Sequence, residues 1–482
     1  MLFPTFEYAL FFTVTLVLAW GALRLPQTVH SVGVRRAHGL HKLSLLALSY
    51  LFYACWDWHF VPLLFALSLW AWLATRIIQH GRWRRLSLTL GISGCLGALV
   101  YYKYSAFAVL NLVELAGMLG WHPLIQPESP FLPLGISFMT FHAISLMMDA
   151  WRHKLDERVP LGDALLYVSF FPQLIAGPIL RASAFLPQLR RPPDPSRIET
   201  TRALMLITAG LFKKVLIANT LATMLVDDVF STPLTMSASQ VLMGIYGYAV
   251  QIYCDFSGYT DVAIGCALLL GYSFPENFDS PYVAASPQEF WHRWHISLSS
   301  WLRDYLFIPL GGSRQGRWRT HCNLGLTMVL GGLWHGAAWT FVVWGAWHGL
   351  LLVGHREWDR FWTNRGATWR SSPFWLWGAR LLLFHAVCLG WVMFRASDFL
   401  LAGQVVQRLW TGGWALDVPA GPMLCIIIGL GCQYLPRHLD ESLQGLGAEI
   451  QPVLRGMVFA LLLMVCEVLG PSTPAPFIYF QF

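Results

Sequence analysis

Long apolar runs separated by short polar links dominate this chain. After a first stretch, MLFPTFEYALFFTVTLVLAWGALRL, they lie near 43–57, 60–78, 87–119, 131–150, 161–180, 203–226, 238–271, 323–353, 374–394, 420–435 and 452–470. A helix needs about 20 apolar residues to cross a bilayer, and lipid leaves no partner for a backbone group unpaired within its own segment. With the longest runs folding as two spans, the pattern predicts an all-α polytopic bundle of about eleven to thirteen spans or re-entrant helices. The N-terminal run has neither a basic flank nor a small-residue cleavage site and reads as a retained first span. No polar stretch leaves room for a water-soluble domain of useful size, so residues 1–482 read as a single integral membrane domain. Internal repeats, which would favour a transporter built from two related halves, are not seen.

Composition agrees: 56% of residues are hydrophobic and 12% charged, about half the charge of a soluble domain. Trp and Tyr, numerous at 24 and 16, suit the interface between headgroups and hydrocarbon. The net charge of +7 is scattered over short loops and forms no stripe suited to nucleic acid. Topology accounts for it better. Arg24, Arg35, Arg36 and Lys42 follow the first span, and Arg76, Arg82, Arg84 and Arg85 follow the third, whereas Asp57, Trp58 and His59 make up the link between the second and third. Basic loops stay in the cytoplasm, so the N-terminus is expected outside. The segments Arg314–Arg319 and His355–Arg365 are placed inside by the same rule, and RRPPDPSR at 190–197 reads as a Pro-rich loop. The nine cysteines form no CxxC pair and mostly sit within apolar runs, which points to buried thiols and away from disulfides or zinc.

One region breaks the hydropathy pattern. From Pro281 to Gly312 charge and aromatic residues interleave at spacings of three and four, and Phe290, Trp294, Ser297, Trp301, Tyr305 and Ile308 fall on one helical stripe. An interfacial or re-entrant amphipathic helix is expected there.

Five histidines, His292, His295, His321, His335 and His348, fall within 292–348. His335, in LGGLWHGAAWTFVVWG, lies in an apolar run with no adjacent acid, and an ionisable group at membrane depth is a candidate functional residue. The bland alternative is a neutral imidazole bonded between helices. The flanking glycines, which thin a helix wall and would admit a substrate, favour the functional reading. His295 alone could be an interfacial residue reaching toward headgroups. Paired with His335 it fits a reaction in which the neutral imidazole of His335 takes the proton of a hydroxyl attacking a thioester, with His295 positioning the acyl donor or acceptor. No GxSxG elbow is present, and this chemistry needs none. His292 and His295, at i and i+3, could share a metal, but no HExxH accompanies them, so no metal is expected. His321 and His348 read as structural. Asp255 and Asp261 lie in an otherwise apolar run and need arginine, backbone amides or water as partners; bracing is preferred over a proton pathway. Arg303 and Asp304 are expected to pair locally or with that region.

The segments PLGISFMTFHAIS (133–145), FFPQLIAGPILR (170–181), DFSGYTDVAIG (255–265), EFWHRWHISLSSWLRDYLFIPLGG (289–312), LGGLWHGAAWTFVVWGAWHG (330–349) and the terminal FIYFQF closely resemble the bacterial branch of membrane-bound O-acyltransferases. Within it the likeness is to the alginate O-acetyltransferase (AlgI) group and its relatives that acetylate cellulose or peptidoglycan. The resemblance covers about 40–395. It implies a helical ring around a central tunnel with His335 at the constriction and His295 at the second polar position of the site. Trp294, Ser297, Arg303, Asp304, Trp334, Asp255 and Asp261 are then candidates for substrate binding or support. It also implies no permanently bound cofactor, acetyl-CoA as cytoplasmic acyl donor, and an inner-membrane location. The partners it implies are a periplasmic or membrane-anchored transferase and a polysaccharide synthesis and export complex. The sequence departs from the pattern at His142, where relatives often carry Gln, and at His292, where they commonly carry Arg. Competing readings are D-alanyl transfer to teichoic acid from a carrier protein, and a non-catalytic component or transporter of an export complex.

Overall fold

The structure, a computed structural model, describes residues 3–28, 33–81, 83–121, 130–155, 158–365, 372–415, 417–470 and 477–478. Of the terminal FIYFQF only Phe477 and Ile478 are therefore described; the rest of that motif, and part of the basic links after the first and third spans, lie outside the described residues. Every regular element among the described residues is helical. The chain forms two compact units, Met1–Ala203 with Ala263–Pro275, and Leu204–Val262 with Glu276–Phe482.

The first unit opens with α1 (Phe6–Thr28), α2 (Val34–Asp57), α3 (Val61–Gln79), α4 (Arg84–Leu99) and α5 (Ser105–Met118), as the periodic apolar runs predict. Asp57 ends α2 and caps the short turn into α3 by accepting from the His59 N–H at 2.9 Å. Next come α6 (Ile136–Trp151), α7 (Leu161–Ser169), α8 (Phe171–Leu174) and α9 (Ala182–Leu189). α6 starts after Gly135, whose φ of +69° favours glycine and where a Cβ would meet the Leu174 carbonyl oxygen at 2.6 Å. α6 packs against α3, α4, α7 and α9 and is buried on nearly every side. It includes His142, whose ring meets that of Tyr167 edge-on at 5.5 Å.

The run at 161–180, expected as a span, is instead the pair of short helices α7 and α8 followed by extended chain, and residues 163–180 are all buried. Pro172, Gly177 and Pro178 break the helix, and pieces of nine and four residues are far too short to cross a bilayer. Side chains tie this folded-in segment together: Tyr167 Oη donates to the Leu180 carbonyl at 2.8 Å, and Gln173 Nε2 donates to the Tyr167 carbonyl at 2.5 Å.

The second unit takes up α10 (Thr200–Leu211) from Leu204 onward and continues through the short α11 (Asn219–Leu221) and α12 (Asp227–Ser231), joined by wide π-helical turns at Phe212–Ala218 and Ala222–Val226. α13 (Ala238–Leu269) is one unbroken helix of 32 residues, about 48 Å at 1.5 Å per residue, where two spans were allowed for. It contains no proline. Its glycines do not bend it back but admit neighbours: Gly258 and Gly210 approach so closely that a Cβ on either would meet the other's carbonyl oxygen at 2.5–2.6 Å.

After α13 come α14 (Pro287–Arg293), α15 (Ile296–Leu302), α16 (Arg317–His335), α17 (Trp339–Thr363), α18 (Pro373–Arg395), α19 (Phe399–Thr411), α20 (Ala420–Gly431), α21 (Arg437–Glu449) and α22 (Pro452–Leu469). The apolar run at 323–353 is two helices, α16 and α17, folded on each other. Their backbones touch because a Cβ at Gly332 would run into the Phe341 carbonyl and one at Gly345 into the Met328 carbonyl. The open end of this hairpin is pinned by Glu357, which accepts from His321 Nε2 at 2.9 Å and pairs with Arg317. The two basic stretches at 314–319 and 355–365 therefore start and end the same hairpin. The links at 190–197 form turns, as expected.

Six stretches among the described residues are long and apolar enough to cross a membrane: Phe6–Arg24, Val34–Gln79, Arg84–Met118, Thr200–Ser231, Pro373–Arg395 and Pro452–Leu469. The second, of 46 residues, holds both α2 and α3. In α22 Val453, Met457, Leu461, Met464 and Val468 are all at least 60% exposed. Such an apolar stripe is stable facing lipid and would not be facing water. The chain is a multi-pass, all-α membrane protein.

Candidate active site

The region that breaks the hydropathy pattern does not form one helix. α14 ends at Arg293, Trp294 is extended with φ −100° and ψ 126°, and His295 is left-handed with φ 42° and ψ 55° before α15 resumes. The expected stripe is still the buried face at Phe290, Trp294, Ser297 and Trp301, but Ile308 is exposed. A period of 3.6 cannot register a two-residue break that resets the face. Left-handed geometry at a residue with a Cβ costs about 1–3 kcal/mol and persists only where the surroundings enforce it.

Here the surroundings are the segment Asn277–Asp279. The Asn277 carbonyl accepts from Ile296 N at 2.9 Å, and Asp279 N donates to the Arg293 carbonyl at 2.9 Å. The Asn277 side-chain oxygen accepts from Ser297 N at 3.1 Å and from Ser297 Oγ at 2.8 Å, and lies 3.1 Å from His295 Nδ1. Asn277 thus caps the start of α15 from outside the helix, supplying acceptors to N–H groups that the helix leaves open. Phe256 meets the His295 ring edge-on at 4.6 Å, and Trp334 lies 6.3 Å away.

His335 is the last residue of α16; Gly336 leaves the helix with extended geometry. It is 4% exposed, with the rings of Trp334, Trp344 and Phe394 around it at 4.9, 5.2 and 5.2 Å. Trp334 therefore neighbours both of the histidines that the sequence singles out. The glycines around His335 divide their roles: Gly331 lines the same cavity as His335, whereas Gly332 receives the α17 backbone and the space over Gly336 is filled by the Phe341 ring. The latter two close the hairpin tightly enough to hold His335 at its tip.

His335 lines a cavity of ≈ 360 Å³. Its walls include Leu298, Leu302, Met328 and Trp344, and its exposed residues include His292, Arg303 and Arg356. An apolar chamber with basic groups where it meets solvent suits a ligand with an anionic end and a small uncharged end. Arg303 Nε also donates to Asp304 Oδ1 at 2.8 Å, the local pairing expected of these neighbours. Trp294 does not line the cavity; it packs in the core against Phe278, Phe290 and Trp391, with ring centroids 5.1, 5.6 and 4.9 Å away. His348 is stacked on Phe290 and edged by Trp291 and Trp344, and His321 bridges to Glu357. Among the described residues no three His, Cys, Asp or Glu side chains converge as metal ligands.

Asp255 and Asp261 pair with lysines in place of the expected arginine, and Asp255 also has a backbone amide, as expected. Lys214 Nζ lies 2.5 Å from Asp255 Oδ1, both side chains 3% exposed, and Asp255 Oδ2 accepts from Ile478 N at 2.7 Å. Lys213 pairs with Asp261. The π-helical turn at Phe212–Ala218 and the Gly210–Gly258 contact let both lysines reach α13. Asn277, Arg356 and Trp344 were missed in the sequence. Asn277 sits in a polar loop with no periodic signal, and nothing local marks it as facing His295.

Helices throughout the described residues, with a buried histidine at a hairpin tip beside a chamber that meets solvent at basic residues, suit an acyl-transferring membrane enzyme. Residues 133–394 match MBOAT, the membrane-bound O-acyltransferase family. The chain is 40% identical over 388 residues to the probable alginate O-acetylase AlgI of Pseudomonas putida, covering 78% of this chain and 76% of that protein. It is 33% identical over 454 residues to the peptidoglycan O-acetyltransferase of Helicobacter pylori, covering 88% and 83%. Over 302 residues it is 28% identical to the teichoic acid D-alanyltransferase of Bacillus subtilis, covering 58% and 74%. The chain belongs to the membrane-bound O-acyltransferase family, and it is an O-acyltransferase.

Proposed function

We propose that this protein moves acetyl groups from acetyl-CoA on the cytoplasmic side of a bacterial inner membrane toward an extracytoplasmic polysaccharide of the alginate, cellulose or peptidoglycan class. A periplasmic or membrane-anchored transferase is the proposed partner, working within the polymer's synthesis and export complex. The observation that carries the reading is His335 buried at a cavity whose solvent-facing residues include His292, Arg303 and Arg356 beside the uncharged Gln288 and Ser313. The basic residues suit the phosphates of the donor, and the narrow aromatic surroundings of His335 suit a small acyl group. His295 and His335 are the catalytic pair. A hydroxyl oxygen attacks the thioester carbonyl, its proton passes to an imidazole, and the carbonyl oxygen takes negative charge that a hydrogen-bond donor must stabilise. Ser297, Trp334, Arg303 and Asp304 support this pair; Asp255 and Asp261 brace the helix behind it.

The test is acetyl-CoA turnover by purified protein in proteoliposomes. Slow acetyl-CoA hydrolysis without acceptor, and transfer with it, is expected. A strict requirement for a charged carrier protein, with acetyl-CoA unused, would replace this reading with D-alanyl transfer.

A further inference from the structure

The membrane-crossing stretch that contains α3 ends at Gln79, and the next begins at Arg84. Between them, within the first unit, lies a cavity of ≈ 200 Å³ whose walls include Gln79, Gly81, Arg84, His153 and Arg158. Because both stretches stop at its edge, the cavity sits among lipid headgroups and not in hydrocarbon. The basic-loop rule turns this end of the spans toward the cytoplasm. α6 also ends here: Ala150 is part of the wall, and His153 leaves the helix in left-handed geometry with φ 55°. The charge of the cavity is one-sided. Arg84 lies over the Trp151 ring at 4.9 Å, and its Nη2 donates to the Trp151 carbonyl at 2.8 Å, closing the C-terminus of α6. Its Nε–H is buried with no acceptor among the described residues. Arg158 and His153 are exposed, and no carboxylate is among the described residues that line the cavity. Lys42, in the same unit, does have one, Asp163 at 2.7 Å. A guanidinium is a planar fork that matches two phosphate oxygens, and its bonds to an anion are about twice as strong as neutral ones.

We propose that this cavity binds a phosphate group, that of an anionic phospholipid in the surrounding leaflet, with Arg84, Arg158 and His153 as its donors, and that it is a site apart from the chamber at His335. A headgroup and a free phosphate offer the same oxygens, but the headgroup is already held at the level where the two spans end. Ile78 and Leu155 give the cavity an apolar side for the lipid's glycerol backbone. A lipid bound there joins the α3–α4 link to the loop after α6, so its binding stabilises the folded protein by mass action.

The experiment titrates full-length protein in detergent with dioleoylphosphatidylglycerol or dioleoylphosphatidylcholine and counts bound lipid by native mass spectrometry. The variants are Arg158→Gln, His153→Asn, which keeps a residue that tolerates left-handed geometry, and, as a control of equal charge change, the exposed Arg319→Gln. Arg84 is left in place because it also closes α6. Wild type should bind phosphatidylglycerol more tightly than phosphatidylcholine. Arg158→Gln should weaken phosphatidylglycerol about fivefold, the usual worth of one basic residue beside an anionic headgroup, and His153→Asn should weaken it less, while Arg319→Gln stays within about twofold of wild type. Retention of the lipid in excess inorganic phosphate supports the headgroup as the source; its displacement assigns the site to free phosphate and overturns the lipid. Phosphatidylglycerol bound no tighter than phosphatidylcholine, as would follow if Asp156 or Glu157 neutralised the cluster, overturns the site. Equal weakening in Arg158→Gln and Arg319→Gln does the same, because it shows diffuse surface attraction. Arg158→Gln should also leave KM for acetyl-CoA at the wild-type value; a raised KM would make the cavity part of donor binding and overturn its separation from the chamber at His335.

Discussion

Lys214 and Asp255 form an ion pair at 2.5 Å with both side chains almost wholly buried. At that separation, with an effective dielectric constant near 20, the attraction is about 7 kcal/mol. Removing both ions from water costs several kcal/mol each, so the pair comes out near neutral as a whole, while either ion alone is strongly unfavourable. Replacing one partner should therefore cost about 3–5 kcal/mol, a hundredfold or more in the folded-to-unfolded ratio. In Lys214→Met the Asp255 carboxylate loses its counter-charge and keeps the Ile478 N–H; in Asp255→Asn the Lys214 ammonium loses its paired carboxylate and lies beside the Tyr259 ring, 5.6 Å from its centroid. The double variant Lys214→Met/Asp255→Asn removes both charges and keeps an acceptor for Ile478, so most of the loss should return. The assay is the midpoint of heat-induced loss of the monodisperse peak in detergent, read by fluorescence-detected gel filtration. The expected order is wild type, then the double variant, then the singles. Singles whose losses simply add in the double variant would refute the reasoning, since additivity means the two groups do not share a burial cost. Acetyl transfer by the stable double variant within about tenfold of wild type separates a brace from a proton relay; general acid–base groups contribute about 10²–10⁴-fold.

Gly345→Val should abolish accumulation of folded protein, because the new side chain runs into the Met328 backbone, whereas Gly354→Val on the same helix meets open space and should insert normally; equal abundance of the two would remove the close-packing argument. Arg356→Ala should raise KM for acetyl-CoA several-fold with kcat little changed, and an unchanged KM would take Arg356 out of donor binding. Single cysteines at Arg36 and Arg85, in a background without other cysteines, should be labelled only from the cytoplasmic side; labelling from the periplasm would invert the proposed orientation.

Much of the architecture is legible along the chain because lipid imposes a simple rule on it. The run at 60–78 becomes α3 within one residue of its limits, the run at 43–57 ends α2 at Asp57 although the helix begins earlier, at Val34, and the polar link at 190–197 stays a turn. The rule fails where a run is apolar because protein buries it, and not because lipid does. The segment at 161–180 is as hydrophobic as a span, yet its prolines and glycine fold it inward, and hydropathy cannot distinguish the two fates. The two candidate histidines are visible from their setting, but the device that holds one of them is not. The break at Trp294–His295 exists because Asn277, eighteen residues earlier, supplies acceptors on the far side of the turn. A contact across a loop leaves no periodic trace. The buried aspartates show the same limit: their need for partners is plain from sequence, but it is the π-helical turn that selects two adjacent lysines for the task.

The central claim is that His295 and His335 together perform acyl transfer, and single-turnover transfer of acetyl from acetyl-CoA in proteoliposomes tests it most directly. His335→Gln retains hydrogen bonding but cannot take a proton in the working range, and His295→Ala removes the side chain proposed to position the acyl donor or acceptor. Each should slow the chemical step by about 10²–10³-fold or more while membrane abundance and the gel-filtration profile stay at wild-type levels. Transfer at the wild-type rate by either variant, normally inserted, would contradict the account.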